Sequence, residues 1–196
     1  IKEEERSKLK ISYYELNISC PNLFGNVSFY PPKNLTELLE RVCDLKLSKP
    51  LFIKMPISKT DKEVLELLKV IIKFPVTGVI IGNTQNNRKD RSFVKEELKK
   101  YPVGNFSGKP TEKRSNELIR LTYKNFGKKL IIVGCGGVFS AEDTYKKIKL
   151  GASLIQLITG LVFEGPQLAA DINYELNKML KKDGFKNIPD AVGTSI

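Results

Sequence analysis

The sequence predicts an α/β fold on a parallel sheet, and within that class a (β/α)8 TIM barrel, present as about five β/α units in a single domain over residues 1–196. Three observations point there. Apolar runs rich in Ile, Val and Leu alternate with segments of helical period in strict strand, helix order, the pattern of a parallel sheet wrapped by helices. Five such units are visible, enough to complete an open doubly wound sheet but about three strands short of a barrel. The opening stretch Ile1 to Leu9 reads as the last turns of a helix. That favours a barrel entered in its third unit, although the N-terminal helix of an open sheet accounts for it as well.

Each element has its own signal. Ile11 to Ile18 reads as a strand, ended by Pro21, which cannot continue a ladder. Tyr30-Pro31-Pro32 marks the approach to a helix over Leu35 to Leu45, and Leu51 to Lys54 is the second strand. Asp61 to Lys73 is an amphipathic helix with Thr60-Asp61 at its N-cap, and Thr77 to Ile81 is the third strand. The connection from Asn83 to Thr111 is long for a βα loop, and such loops carry function or mobility. The helix Lys113 to Asn125, closed at Gly127, leads to the strand Leu130 to Val133. Ser140 caps a helix over Ala141 to Lys149 that stops at Gly151, and Ser153 to Leu157 is the fifth strand. A last helix, Gln167 to Lys182, ends at Gly184.

Composition narrows the function classes. With 41% hydrophobic and 28% charged residues the chain supports one buried core and shows no bias to disorder. No apolar run approaches the roughly 20 residues of a membrane-spanning helix, and the start is not a signal peptide, so a cytoplasmic chain is expected. Cys20, Cys43 and Cys135 lie far apart without a C-x-x-C pair, so neither a disulfide scaffold nor a metal site is expected. Histidine is absent altogether, which removes the usual proton shuttle and leaves acid and base chemistry to Cys, Lys, Tyr, Asp or Glu. The net charge of +11 raises the question of nucleic acid. The lysines, however, are interleaved with acidic residues along helix faces that read as solvated, as in Lys62-Glu63, Lys95-Glu96-Glu97 and Glu142-Asp143 beside Lys146-Lys147. Nucleic acid is therefore not an expected partner.

Polar clusters follow each strand, at the carboxyl end of the sheet where α/β proteins place their sites. The first is Asn17, Ser19, Cys20 and Asn22. Alternation puts Asn17 and Ser19 on one face, while Pro21 ends the strand and leaves Cys20 and Asn22 at the rim. Two carboxamides match the paired donors and acceptors of a uracil-like ring, and the thiol could serve as base or nucleophile. Taken alone, a buried structural cysteine beside a turn-capping Asn explains the same residues. Lys54 should project from its strand end towards the pocket, where an inward ammonium requires an anion, unless it snorkels to the surface. Asn83-Thr84 adds another carboxamide and a hydroxyl, which by itself would be an ordinary turn pair. Gly134-Cys135-Gly136-Gly137 and Thr159-Gly160 are glycine loops in consecutive units, a pairing that lets backbone approach a phosphate. Neither has the G-x-G-x-x-G spacing of a dinucleotide fold, and Ser107-Gly108-Lys109-Pro110 lacks the spacing of a P-loop.

Together these pieces resemble dihydroorotate dehydrogenase, the FMN enzyme family of pyrimidine biosynthesis. The matching segments are N-I-S-C-P-N at Asn17 to Asn22, I-K at Ile53-Lys54, G-N-T at Gly82 to Thr84 and S-G-K-P at Ser107 to Pro110. I-I-V-G-C-G-G-V at Ile131 to Val138, G-A-S-L-I-Q-L at Gly151 to Leu157 and F-E-G-P at Phe163 to Pro166 continue the series in family order.

The resemblance implies the latter part of a (β/α)8 barrel from about its fourth strand, with FMN as cofactor and dihydroorotate as substrate. It implies Cys20 as the base that takes the C5 proton while hydride passes from C6 to the flavin. Asn17, Asn22, Asn83 and Thr84 would bind the pyrimidine ring. Lys54, with Asn83, would lie beside the flavin ring, and Gly108, Gly136, Gly137, Thr159 and Gly160 would contact the flavin and its phosphate. A Cys base resembles the soluble class 1, which uses fumarate or NAD. The S-G-K-P segment and the tail D-G-F-K-N-I-P-D-A-V-G resemble the quinone-reducing class 2, and this longer match outweighs the single base position. Ile158 stands where that class often has Tyr, and Leu23 where Thr is common. Membrane contact at the inner face of the cell membrane would come only through a segment before Ile1. Since the family's early strands carry further flavin and orotate contacts, the polypeptide alone is expected to bind FMN poorly. Rival readings are a non-catalytic phosphate- or nucleotide-binding α/β domain and a related FMN barrel acting on pyrimidine bases, whose typical iron–sulfur cysteines this chain lacks.

Overall fold

The computed structural model describes residues 11–19, 29, 31–89 and 93–196. The stretch Ile1 to Leu9, expected as helix, lies outside them, as do Cys20 and Asn22. Five strands form one parallel sheet: β1 (Tyr14–Asn17), β2 (Leu51–Met55), β3 (Gly78–Ile81), β4 (Ile131–Cys135) and β5 (Leu154–Gln156). They pair in chain order, with Asn17 beside Lys54, Lys54 beside Ile80, Ile81 beside Gly134 and Cys135 beside Gln156. A doubly wound sheet reverses its strand order at a switch point, whereas a barrel runs on around its axis. The uninterrupted order therefore decides for a partial (β/α)8 barrel over the open sheet. The arc is curled enough that Gln156 of β5 donates from Nε2 to Glu15 Oε2 of β1 at 2.8 Å.

The helices return the chain between strands. They are α1 (Pro32–Cys43), α2 (Asp61–Ile71), α3 (Lys95–Lys100), α4 (Glu112–Phe126), α5 (Ala141–Lys149), α6 (Thr159–Glu164), α7 (Leu168–Lys182) and α8 (Ile188–Ala191). Proline sets the start of α1 three residues before the expected Leu35: Pro31 is the N-cap and Pro32 opens the helix, where a missing N–H costs nothing. Thr60 and Glu63 form a reciprocal capping box at α2, and Ser140 accepts from the Asp143 N–H at α5. The long connection after β3 holds α3 and is pinned back on itself by a two-way backbone bridge between Gln85 and Phe106.

Strand alternation divides the interior. Tyr14, Ile53, Met55, Val79, Ile81 and Ile132 face the helices and pack with Leu35, Leu39, Val64, Leu68, Ile71, Leu118 and Ile119 into the main core. Burying a side chain of this kind stabilises by about 1.5–3 kcal/mol. Phe52, Ile80 and Val133, packed against Cys135, cover the concave face.

One charge reading is corrected. Lys147, expected on a solvated helix face beside Lys146, is completely buried. The i, i+4 pattern of acids and lysines on α5 is real, but Lys147 follows Thr144 by three residues and shares its inward stripe.

Candidate active site

Strand alternation decides which polar side chains meet inside the arc. Glu15, Asn17 and Lys54 point to the concave side because their neighbours Tyr14, Leu16, Ile53 and Met55 pack on the helices. Lys54 Nζ lies 3.2 Å from Glu15 Oε1, with about a fifth of the lysine side chain and a quarter of the glutamate exposed. The ammonium thus meets the anion that its position demanded, and this anion is supplied by the chain itself.

A carboxamide and hydroxyl cluster sits beside that pair. Asn83 donates from Nδ2 to Ser19 Oγ at 2.7 Å and reaches Asn17 Oδ1 at 3.4 Å. The orientation of the Asn83 amide follows from its other end, where Oδ1 accepts from the Thr84 N–H at 2.8 Å. Ser19 in turn donates to Asn17 Oδ1 at 3.0 Å. The loop after β3 is therefore tied to the end of β1, 64 residues away in sequence.

These strand ends open on one cleft of about 490 Å³, solvent at its mouth included. Lys54, Asn83, Thr84, Gly108, Gly136, Gly137, Thr159 and Gly160 all line it. Asn17 joins the cleft through its bond to Asn83. Thr159 donates to Ser107 Oγ at 3.0 Å, joining the start of α6 to the loop before α4. Lys109, beside Gly108, is held outside by both Asp143 oxygens at 2.9 and 3.0 Å.

The glycine loop shows why no other residue fits. Gly137 has φ +72°, and a Cβ there would lie 2.8 Å from the Glu112 Cα; at Gly136, with φ +106°, it would lie 2.6 Å from Thr111 Oγ1. Bare backbone thus forms the cleft floor between β4 and α4. Cys135 lies between these loops, and burial pushes its thiol up despite the opposing fields of Lys54 and Lys147, which leaves it neutral and poorly nucleophilic.

Flavin mononucleotide fits this donor set. A glycine floor with hydroxyl and backbone donors suits a phosphate, while Lys54 and the Asn83 carboxamide suit the carbonyls of a ring. Four side chains at or behind the cleft were not evident from the sequence. Glu15 stands two residues before Asn17, so alternation alone could have shown it facing inward. Gln156 and the Ser115–Lys147 pair behind the glycine loop carried no local signal, because only the packing of distant elements brings them in.

A family model described as dihydroorotate dehydrogenase matches residues 7–180. The chain belongs to this family. Curated relatives named dihydroorotate dehydrogenase (quinone) include one from Trichodesmium erythraeum, 34% identical over 92% of this chain and 49% of the relative. One from Natronomonas pharaonis is 37% identical over 94% of this chain and 51% of the relative. Among solved structures, a crystal structure of DHODH from Eimeria tenella in complex with ferulenol superposes with a TM-score of 0.85 at 25% identity, covering 93% of this chain and 54% of that one. The chain spans about half the length of the curated relatives it matches. Dihydroorotate dehydrogenases are oxidoreductases on a TIM barrel, and the five sequential strands described above form a part of that barrel. Among the described residues, no helix is long and apolar enough to cross a membrane.

Proposed function

We propose that this chain carries substrate- and flavin-binding machinery of a dihydroorotate dehydrogenase, which oxidises dihydroorotate to orotate with FMN as hydride acceptor and passes the electrons to a quinone. The observation that carries the reading is that Asn83, Thr84, the Lys54 cation and the glycine loops line a single cleft, to which Asn17 and Ser19 are tied through Asn83. Asn17, Asn22, Asn83 and Thr84 bind the pyrimidine ring, whose alternating carbonyls and N–H groups pair with carboxamides. Lys54 lies beside the electron-rich edge of the flavin. Gly108, Gly136, Gly137, Thr159 and Gly160 enclose the phosphate end largely through backbone. When bound there, FMN supplies the acceptor for the hydride leaving C6.

Cys20, next in sequence after Ser19, is the base. Its thiolate takes the proton from C5, and the electron pair left on C5 forms the C5–C6 double bond as the hydride departs from C6. The reading rests on the match of the segment N-I-S-C-P-N at Asn17 to Asn22 to the family, in a chain that has no histidine to serve instead.

A flavin absorption spectrum of the full-length gene product tests the reading. Dihydroorotate should bleach the flavin band under anaerobic conditions, and a colourless protein or an unbleached band refutes it. The named quinone class of the relatives supports a quinone as acceptor, and the enzyme would then work at the inner face of the cell membrane. The cysteine base favours the soluble alternative. Reoxidation of the bleached protein by a short-chain quinone, set against fumarate and NAD, separates the two.

A further inference from the structure

Behind the glycine loop lies a buried polar chain that the proposed reaction does not use. Lys147, completely buried on α5, donates from Nζ to Ser115 Oγ at 3.0 Å and to Asn116 Oδ1 at 2.8 Å. Ser115, equally buried on α4, donates to the Cys135 carbonyl at 2.6 Å, with the Ile81 carbonyl at 3.2 Å as its alternative acceptor. Cys135 and Ile81 end β4 and β3, and the residues directly after them are the cleft loops Gly136-Gly137 and Gly82-Asn83. Gly136 packs on the start of α4, where a Cβ built on it would come 2.6 Å from Thr111 Oγ1 and 3.6 Å from the Ser115 Cβ.

A hydroxyl has one proton and can turn it either way. With the ammonium of Lys147 donating to one Oγ lone pair, the proton of Ser115 is directed away from it, onto one or other of the two strand-end carbonyls. A charged donor also strengthens the bond that the hydroxyl then donates. The two loops are thereby fixed relative to each other by a group that touches neither cavity nor solvent. Burial holds the Lys147 amine down at about 8, so it still carries its proton at neutral pH. A solvated lysine would have met the needs of α5 without the penalty of desolvating an ammonium.

We infer that Lys147 is a positioning residue: acting through Ser115, it holds the ends of β3 and β4 so that the glycine loop keeps the shape that receives a phosphate monoester. This rests on the flavin-binding reading given above. A lysine kept only for packing would be replaceable by an apolar chain of similar length with no effect on ligand choice.

The test uses Lys147→Met, Ser115→Ala and the double variant of the full-length protein, freed of flavin and titrated with FMN and with riboflavin by flavin fluorescence. Ser115→Ala removes almost no volume and carries the test alone if Lys147→Met is not recovered folded. Each single variant should weaken FMN binding about tenfold or more while changing riboflavin affinity little. The double variant should be no worse than the weaker single, because the two residues act as one unit. FMN affinity unchanged in both single variants, or equal losses for FMN and riboflavin, overturns the positioning role alone. A wild-type protein that binds neither flavin overturns the flavin reading and this inference with it.

Discussion

Lys54 and Glu15 form an ion pair across neighbouring strands, 3.2 Å apart and mostly shielded from solvent, and Gln156 holds the second glutamate oxygen from the far side of the arc. Removing either partner has different consequences. Glu15→Gln leaves the ammonium with a neutral neighbour and should cost about 1–2 kcal/mol of unfolding free energy, between the values for exposed and buried pairs. Lys54→Met leaves Glu15 its amide partner, so stability should fall less while FMN affinity falls more. Chemical denaturation and flavin titration of both variants check the contrast.

Asn83 bridges the first and third strands, and its polarity is set by Thr84. Asn83→Ala should raise KM for dihydroorotate about tenfold, the loss of one or two well-placed hydrogen bonds. Asn83→Asp should be worse, because it sets a carboxylate against Asn17 Oδ1 and removes the donor to Ser19. Steady-state kinetics with both variants would show the order, and an aspartate variant better than the alanine would contradict the orientation given to the amide.

Two glycines with positive φ should respond differently to alanine. Gly104 has φ +109° and nothing within 4 Å of the point a Cβ would occupy, whereas at Gly137 that carbon would run into the Glu112 backbone. Gly104→Ala should cost only the backbone penalty, about 1–2 kcal/mol. Gly137→Ala must in addition displace α4 from β4, so it should lower Tm further and abolish flavin retention. Thermal unfolding of the pair decides it.

Cys20 should impose an acidic limb on the pH profile of the reaction. An ordinary thiol titrates near 8.5, so only a few per cent is thiolate at neutral pH, and turnover should climb with pH until it ionises. Cys20→Ala should lose the reductive half-reaction by at least about 100-fold, as general bases contribute at that scale. Stopped-flow flavin reduction measures this directly; a near-normal rate in the alanine variant removes Cys20 from the mechanism.

Lys147 also predicts a pH dependence of stability. Its folded value, about 8, lies below the ordinary 10.5, so across that interval the unfolded chain binds more protons and stability rises with pH. Below pH 8 the charged, desolvated amine costs on the order of 3 kcal/mol relative to the high-pH limit. Glu112 on α4 and Asp143 on its own helix favour the charged form, and Lys146 opposes it. Above pH 10 the trend is opposed by Tyr145, pushed up to about 12 by burial and its bond to Asp183, because the unfolded tyrosine loses its proton first. Denaturant unfolding at pH 7 and 9.5 should therefore show a rise in the wild type that Lys147→Met lacks.

Much of the barrel was legible because its signals are local. Period-2 and period-3.6 patterns located the five strands and the longer helices within a few residues, and Thr60 and Ser140 marked helix starts through bonds to their own first turns. The short helices α3, α6 and α8 were not read, since four to six residues hold too little periodicity to separate them from loops. The polar residues after each strand were legible for the same reason, as parallel sheets bring successive carboxyl ends to one side.

The sequence by itself determined the alternation of strands and helices, the carboxamides and glycines at the strand ends, and the family segments that order them. Only the tertiary structure decided strand order, the closure of Glu15 onto Lys54 and Gln156, and the burial of Lys147 behind the glycine loop. The physical reason is range. Helix caps and strand alternation arise between residues a few positions apart, whereas an ion pair between strands or an ammonium 32 positions from its serine exists only once distant elements have packed together.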